Sequence, residues 1–379
     1  MVYSKGFWRP KQAEARSAPD PPRRILVVLL GSIGDVVRAL ALLGRLRRAH
    51  PEAHIAWAVE PKSRPILEGH PWLDEIVVFE RGRRPGAFVA FLARVRAGKF
   101  DLVLDLQRHL KSGLAALASG APVRLGFPPQ NAKELNHIFS TRWVEAQPPM
   151  RLKLLQYQAF ADALGIPASP IEFGLEPRHD ELRRVRALLE KAPRPLVGAF
   201  LGSSWPSRLY PADWTARVLK DLAGDDQAPP FFPVLIGASA DRERALAVAS
   251  QLSREGFVDL VGRLGLRELV ALFRECTAAF GPDCGPMHIA AAVGCPVVSL
   301  WGATAPQRSA PWASDKWTLC ADIPCHPCYL RRCPIGGECM RRIEPDAVAA
   351  AVREAARSAG AQQRPALPAG GQLQAGSGV

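Results

Sequence analysis

No apolar run in this 379-residue chain approaches the roughly 20 residues that a bilayer-spanning helix requires, which excludes an integral helical membrane protein. The first 24 residues are polar, with Arg, Lys and Pro scattered through them and no secretory signal pattern, so a cytoplasmic protein is expected. Acidic residues are scarce beside basic ones, 36 against 49, giving a net charge of +13. That balance calls for an acidic partner: nucleic acid, anionic lipid or a phosphorylated substrate. No nucleic-acid-binding motif is present and the basic residues are spread along the chain, so nucleic acid is not expected as a partner. A solvated basic surface accounts for part of the excess. Internal repeats are missing too, and the composition is not that of a disordered chain: hydrophobic residues make up 48%, enough for two cores.

Two short glycine-bearing segments are the most informative features present. Leu30-Gly31-Ser32-Ile33-Gly34-Asp35 follows the apolar run Ile25 to Leu30, and Asp283-Cys284-Gly285-Pro286-Met287-His288 precedes Ile289-Ala290-Ala291-Ala292. Each reads as a strand entering a tight turn that opens a helix, where free backbone N–H groups and the helix dipole favour negative charge. The first lacks Gly-x-Gly-x-x-Gly spacing, with Ile33 at the second glycine position, which argues against an NAD-dependent oxidoreductase.

Strands and helices alternate between and around these segments, the pattern of a parallel sheet wound on both faces. Strands are predicted at 25–30, 54–59, 75–79, 102–106, 196–201, 232–236, 278–280 and 297–301. Helices are predicted at 36–50, 180–191, 241–252 and 345–356. The proline-rich stretch from Pro167 to Pro195 reads as the connection between two α/β domains, expected at 23–175 and 176–360. Residues 1–22 read as a flexible arm and 361–379 as a disordered tail. The expected fold is α/β with two facing Rossmann-like domains, an anionic ligand lying in the cleft between them.

The ordered set of motifs from about residue 24 to 356 resembles glycosyltransferase family 9, the heptosyltransferases of the lipopolysaccharide inner core, and more its heptosyltransferase II branch. The resemblance rests on Gly31-Ser32-Ile33-Gly34-Asp35-Val36, Trp57-Ala58-Val59-Glu60, and Asp101 to Gln107 with Leu110-Lys111-Ser112. It continues through Arg208-Leu209-Tyr210-Pro211, Asp283 to Ala292, and Gly302-Ala303-Thr304-Ala305-Pro306. It implies the GT-B fold, with the acceptor on the first domain and an ADP-activated sugar on the second. The implied reaction is an inverting, metal-independent transfer of heptose from ADP-heptose. The implied acceptor is a phosphorylated, lipid-linked glycan at the inner face of the inner membrane, where the basic charge suits a peripheral protein.

By that resemblance Asp35 is the general base that activates the acceptor hydroxyl; as an Asp following Gly, it also suits a helix N-cap. Ser32, Gly34, Glu60, Lys62, Arg64, Gln107 and Lys111 would face the acceptor, Gly34 because a side chain would obstruct backbone approach. The residue after Gln107 is usually Gly in relatives but is Arg108 here, a departure expected to alter acceptor choice. Arg208 would stabilise the departing ADP. Ser203, Asp283, Cys284, Gly285, Pro286, Met287 and His288 would surround the donor diphosphate, and Asp241 its ribose. The chain has no Asp-x-Asp, so nothing suggests a divalent cation carrying the diphosphate.

Five of the eight cysteines fall between Cys320 and Cys339. The set Cys325, Cys328, Cys333 and Cys339 has a spacing that, in a cytosolic protein, suggests zinc or an iron–sulfur cluster before disulfides; the alternative is free thiols packing a loop. No cofactor is expected for catalysis itself. Two other functional readings stay open at this level: a family member moving another sugar to a different cell-surface glycan, and a non-catalytic nucleotide-sugar-binding or metal-bearing protein.

Overall fold

The computed structural model describes residues 21–82, 86–224 and 230–361. Most of the expected N-terminal arm and C-terminal tail lies outside these residues. The described residues divide into two compact units, those up to 175 with 307–309, and those from 176 to 306 with 310–361.

The first unit is built on β1 (Arg24–Val28), α1 (Ile33–Ala49), β2 (His54–Val59), α2 (Arg64–Leu67), β3 (Glu75–Val78), α3 (Ala87–Ala97), β4 (Leu102–Asp105), α4 (Leu110–Ser119), β5 (Val123–Gly126), β6 (Arg142–Trp143) and α5 (Lys153–Ala163). Its six strands are parallel in the order β3-β2-β1-β4-β5-β6. β1, β2 and β4 are almost continuously buried, as strands covered by helices on both faces must be. α1 starts three residues earlier than its apolar periodicity predicts, because Ser32 caps it, accepting from the Asp35 N–H at 3.4 Å. Gly44 lets α1 approach Trp72 closely: a Cβ there would stand 2.7 Å from the indole ring. The buried Arg45 guanidinium reaches from α1 to Asp162 (2.8 Å) and Gln158 (3.1 Å) on α5.

The second unit repeats the plan with α6 (His179–Leu188), β7 (Leu196–Phe200), α7 (Ala212–Ala223), β8 (Phe232–Ile236), α8 (Arg242–Ala249), β9 (Val258–Asp259), α9 (Leu266–Glu275), β10 (Ala278–Pro282), α10 (Gly285–Ala292) and β11 (Val297–Trp301), then, after α11 (Pro306–Ser309), whose residues 307–309 belong to the first unit, β12 (Thr318–Cys320), α12 (Glu338–Arg341) and α13 (Pro345–Ala361). Its parallel order, β12-β11-β10-β7-β8-β9, is the first unit's order counted from β7. Both are the Rossmann order, in which strand succession reverses between the first and fourth strands of each unit. Ligands bind outside the carboxyl ends of the strands at that reversal. In the first unit the reversal brings together the loops after β1 and β4, and in the second those after β7 and β10. β5, β6, β9 and β12 escape sequence reading because each is only two to four residues long.

Candidate active site

Asp35 stands at the first reversal point, on the opening turn of α1. It is not the cap of that helix, as its place after Gly34 suggested; Ser32 is, and its hydroxyl donates to Asp35 Oδ2 at 3.0 Å. The other oxygen, Oδ1, accepts from Lys153 Nζ at 2.7 Å, from Arg38 at 2.7 Å and from the Tyr157 hydroxyl at 3.3 Å. Arg38 lies one turn along α1 from Asp35, while Lys153 and Tyr157 lie one turn apart on α5, so a single helix–helix contact gathers the group. Burial pushes the Asp35 carboxyl upward, but the charges and hydrogen bonds of Lys153 and Arg38 outweigh it and hold the group well below the usual carboxylate range. Asp35 is therefore ionised at neutral pH.

The loop after β4 completes this side. Gln107 Oε1 accepts the Gly31 N–H at 3.1 Å, tying the two loops of the reversal together. A Cβ at Gly31 would meet that amide at 3.3 Å, so Gly31 is in close approach here. Behind the loop, Asp105 accepts from Asn136 Nδ2 at 2.8 Å and from the Gln107 N–H at 3.1 Å. Burial raises its carboxyl to about 6 against these hydrogen bonds. A cavity of about 100 Å³ opens beside Asp35, lined also by Arg108, Lys133, Lys153, Tyr157 and Arg308.

Of the residues expected to face an acceptor, Ser32 and Gly34 sit in the Asp35 turn and Gln107 lines the cavity. Glu60, Lys62, Arg64 and Lys111 do not line it. Glu60 approaches Arg81 at 3.7 Å, Arg64 pairs with Glu68 at 2.8 Å, and Lys62 is exposed to solvent. Lys111 instead stands over the Phe79 ring, at the rim of a separate cavity. Strand ends distribute these residues along the sheet edge, and only those at the reversal reach Asp35. Lys153, Tyr157 and Arg38 escape sequence reading, since no spacing shows which helix will pack on α1.

At the second reversal point, Arg208 donates to Asp283 Oδ2 at 3.1 Å, and its guanidinium lies 3.9 Å from the Trp205 ring centroid. The Thr304 hydroxyl donates to the same carboxylate oxygen at 2.7 Å, and Ser203 Oγ donates to the Asp283 carbonyl at 3.1 Å. Asp241 accepts the Ala238 N–H at 2.8 Å, and a Cβ at Gly202 would stand 2.2 Å from its carboxylate. Cys284 precedes α10, with Gly285 and Pro286 in its first turn. Burial raises the Cys284 thiol far above its ordinary pKa, so it is neutral. Pro286, Met287 and His288 are buried at this turn.

Among the described residues, no group of three or more His, Cys, Asp or Glu is placed to hold a metal ion, and all eight cysteines are free thiols, so the expected metal set finds no support. Cys339 on α12 is buried against Gly302 beside Met340, whereas Cys325 is exposed. Burial, and then the nearby Cys333, Cys325 and Cys328, push the Cys339 thiol up. What the segment does is brace the Arg208 turn. Ser207 donates its N–H to the Arg331 carbonyl (3.2 Å) and its hydroxyl to the Leu330 carbonyl (2.6 Å), and Tyr329 N–H donates to the Ala303 carbonyl (2.8 Å).

A doubly wound pair of Rossmann units, with an ionised aspartate at one reversal point and a carboxylate-held arginine at the other, is the architecture of a nucleotide-sugar transferase of the GT-B type. The chain belongs to glycosyltransferase family 9 (heptosyltransferase), whose sequence profile matches residues 88–338. It is 28% identical over 325 residues to lipopolysaccharide heptosyltransferase 1 of Pseudomonas aeruginosa, covering 82% of this chain and 87% of that protein. It is 27% identical over 311 residues to lipooligosaccharide heptosyltransferase 2 of Haemophilus influenzae, covering 78% and 87%. These identities do not favour the second branch over the first. The fold matches the structure of E. coli ADP-heptose heptosyltransferase II with a TM-score of 0.71 at 22% identity, covering 88% of this chain and 99% of that one.

Proposed function

We propose that the protein transfers heptose from ADP-heptose to the inner core of lipopolysaccharide with inversion, the first unit binding the acceptor and the second the donor. The observation that carries this reading is the half-buried, ionised Asp35 facing a cationic cavity at the reversal point of the first sheet. An acceptor hydroxyl donates its proton to Asp35 as its oxygen forms a bond to the anomeric carbon. The bond from that carbon to the diphosphate oxygen breaks, and ADP departs with the electron pair. A carboxylate of such low basicity takes the proton late, once bond formation to the anomeric carbon has drawn electron density from the hydroxyl oxygen and made its proton acidic. Arg208 and the backbone N–H groups opening α10 would hold the diphosphate, with Ser203 and Asp283 setting the arginine and Asp241 placed toward the ribose.

The acceptor's lipid places the reaction at an anionic membrane surface. No helix among the described residues is long and apolar enough to cross a membrane. The first unit instead exposes Leu135, Ile138 and Trp143 close together, with Lys133 and Arg142 beside them in sequence, a surface suited to peripheral docking on the cytoplasmic face.

The test is ADP release from ADP-heptose in the presence of lipopolysaccharide cores truncated at successive heptoses. Release that depends on one core establishes the transfer and names its step. Donor binding without release on any core overturns it.

A further inference from the structure

Arg108 has a backbone φ of 77°, in the left-handed region that a side chain bearing a Cβ rarely adopts. Nothing in the turn requires an arginine for folding, and glycine would hold the same φ without strain. Glu134 and Leu135, in the loop facing it, are also left-handed, at 50° and 57°. The Lys133 N–H between the two loops donates to the Arg108 carbonyl at 2.9 Å. Left-handed non-glycine residues gather where the surrounding structure holds them for a purpose.

The side chains here are charged, and their charges are not neutralised locally. The Arg108 guanidinium packs on the Phe127 face, 4.0 Å from its centroid, and donates to the neutral Gln156 amide. Among the described residues no carboxylate forms an ion pair with Arg108, Lys133 or Arg308, and all three line the cavity beside Asp35. Asp35 is already engaged by Lys153 and Arg38. Burial lowers the Arg108 pKa, Tyr157 and Asp35 oppose that and the like charge of Arg308 adds to it, so the guanidinium is held at a cost that a bound anion would relieve. At about 100 Å³ it is far smaller than the roughly 300–1,000 Å³ of a site for a whole organic ligand, and suits a single compact group.

We propose that Arg108, Lys133 and Arg308 form an anion subsite that grips one phosphate ester or carboxylate of the acceptor and so sets which hydroxyl reaches Asp35. This rests on the acceptor reading given above for the first unit.

The test is titration of inorganic phosphate into the full-length protein by calorimetry, comparing wild type with Arg108→Gly and Arg108→Gln. Saturable binding to the wild type, weakened about tenfold or more in both variants, is expected. Arg108→Gly should melt no lower than wild type, because glycine relieves the left-handed φ, and ADP affinity should be unchanged in all three. Unaltered phosphate binding in the variants, or no saturable binding in the wild type, overturns the proposal. Competition by methyl phosphate or by acetate assigns the group as a phosphate ester or a carboxylate; displacement by neither overturns it. The titration needs no transfer, so a wild type that binds phosphate through Arg108 yet releases ADP on no core overturns the transfer reading alone.

Discussion

The two reversal points use one ion pair in opposite ways. In the first unit the carboxylate of Asp35 is the proposed working group, and the cations Lys153 and Arg38 hold it. In the second the guanidinium of Arg208 is the proposed working group, and the carboxylate of Asp283, bonded by Thr304, holds it. On that proposal the same doubly wound topology presents a base at one site and an electrophilic clamp at the other. What decides between them is which neighbour supplies the extra charge. At Asp35 two cations surround one carboxylate, and at Arg208 a carboxylate and a hydroxyl steady one cation from behind, with an indole beneath it.

Breaking the first arrangement should have the largest effect. Asp35→Asn is expected to lower kcat by about 10²–10⁴, the range for losing a general base, with ADP affinity by calorimetry near that of wild type. Unchanged turnover would remove Asp35 from the chemistry. Arg208→Ala should cost about 10²–10³ in turnover and also weaken ADP binding, and equal ADP affinity in that variant would place the diphosphate elsewhere.

Lys153→Met sharpens the comparison, because it leaves the base in place and removes a holder. Burial then acts on Asp35 with less opposition, so its pKa rises and it takes up a proton at higher pH. The acid limb of kcat/KM should move upward, with the loss of activity greater at pH 5 than at pH 8. A limb that stays where it is in wild type would show that Lys153 does not tune the base.

Asp105 offers a contrast inside the same unit. Its folded pKa is raised to about 6 from 3.8, a difference on the order of 3 kcal/mol between its charged and neutral forms. Its stabilising contribution is full below the unfolded pKa and is lost as pH rises through about 6. Asp35, with a depressed pKa, behaves oppositely: its contribution holds above the unfolded range and fades only as pH falls through its low folded value. Chemical unfolding of Asp105→Asn between pH 4 and pH 7 should therefore show a flatter profile than wild type, and an unchanged profile would contradict the assignment. The smallest effect is expected from Cys325→Ser, an exposed thiol whose replacement should change stability by less than about 0.5 kcal/mol and leave turnover intact.

Much of this was readable in the residues. The buried strands Ile25–Val28, His54–Val59, Phe232–Ile236 and Val297–Trp301 announce themselves as apolar runs, and the Gly31 to Asp35 turn follows the first of them directly. Local sequence sets strand and helix through burial and capping, so alternation alone gave the doubly wound plan, and Asp35 and Arg208 stood out through the family resemblance of the segments that hold them. Only the tertiary structure decided which residues surround them. Lys153 and Tyr157 lie more than 100 residues from Asp35 and reach it because α5 packs on α1, a contact that no local pattern encodes. It also left the cysteine set without a metal-ion site among the described residues, with Cys339 drawn into the core and Cys325 left in solvent. Chain-local chemistry settles what each segment can become, whereas the long-range packing that buries charge settles which group is left able to react.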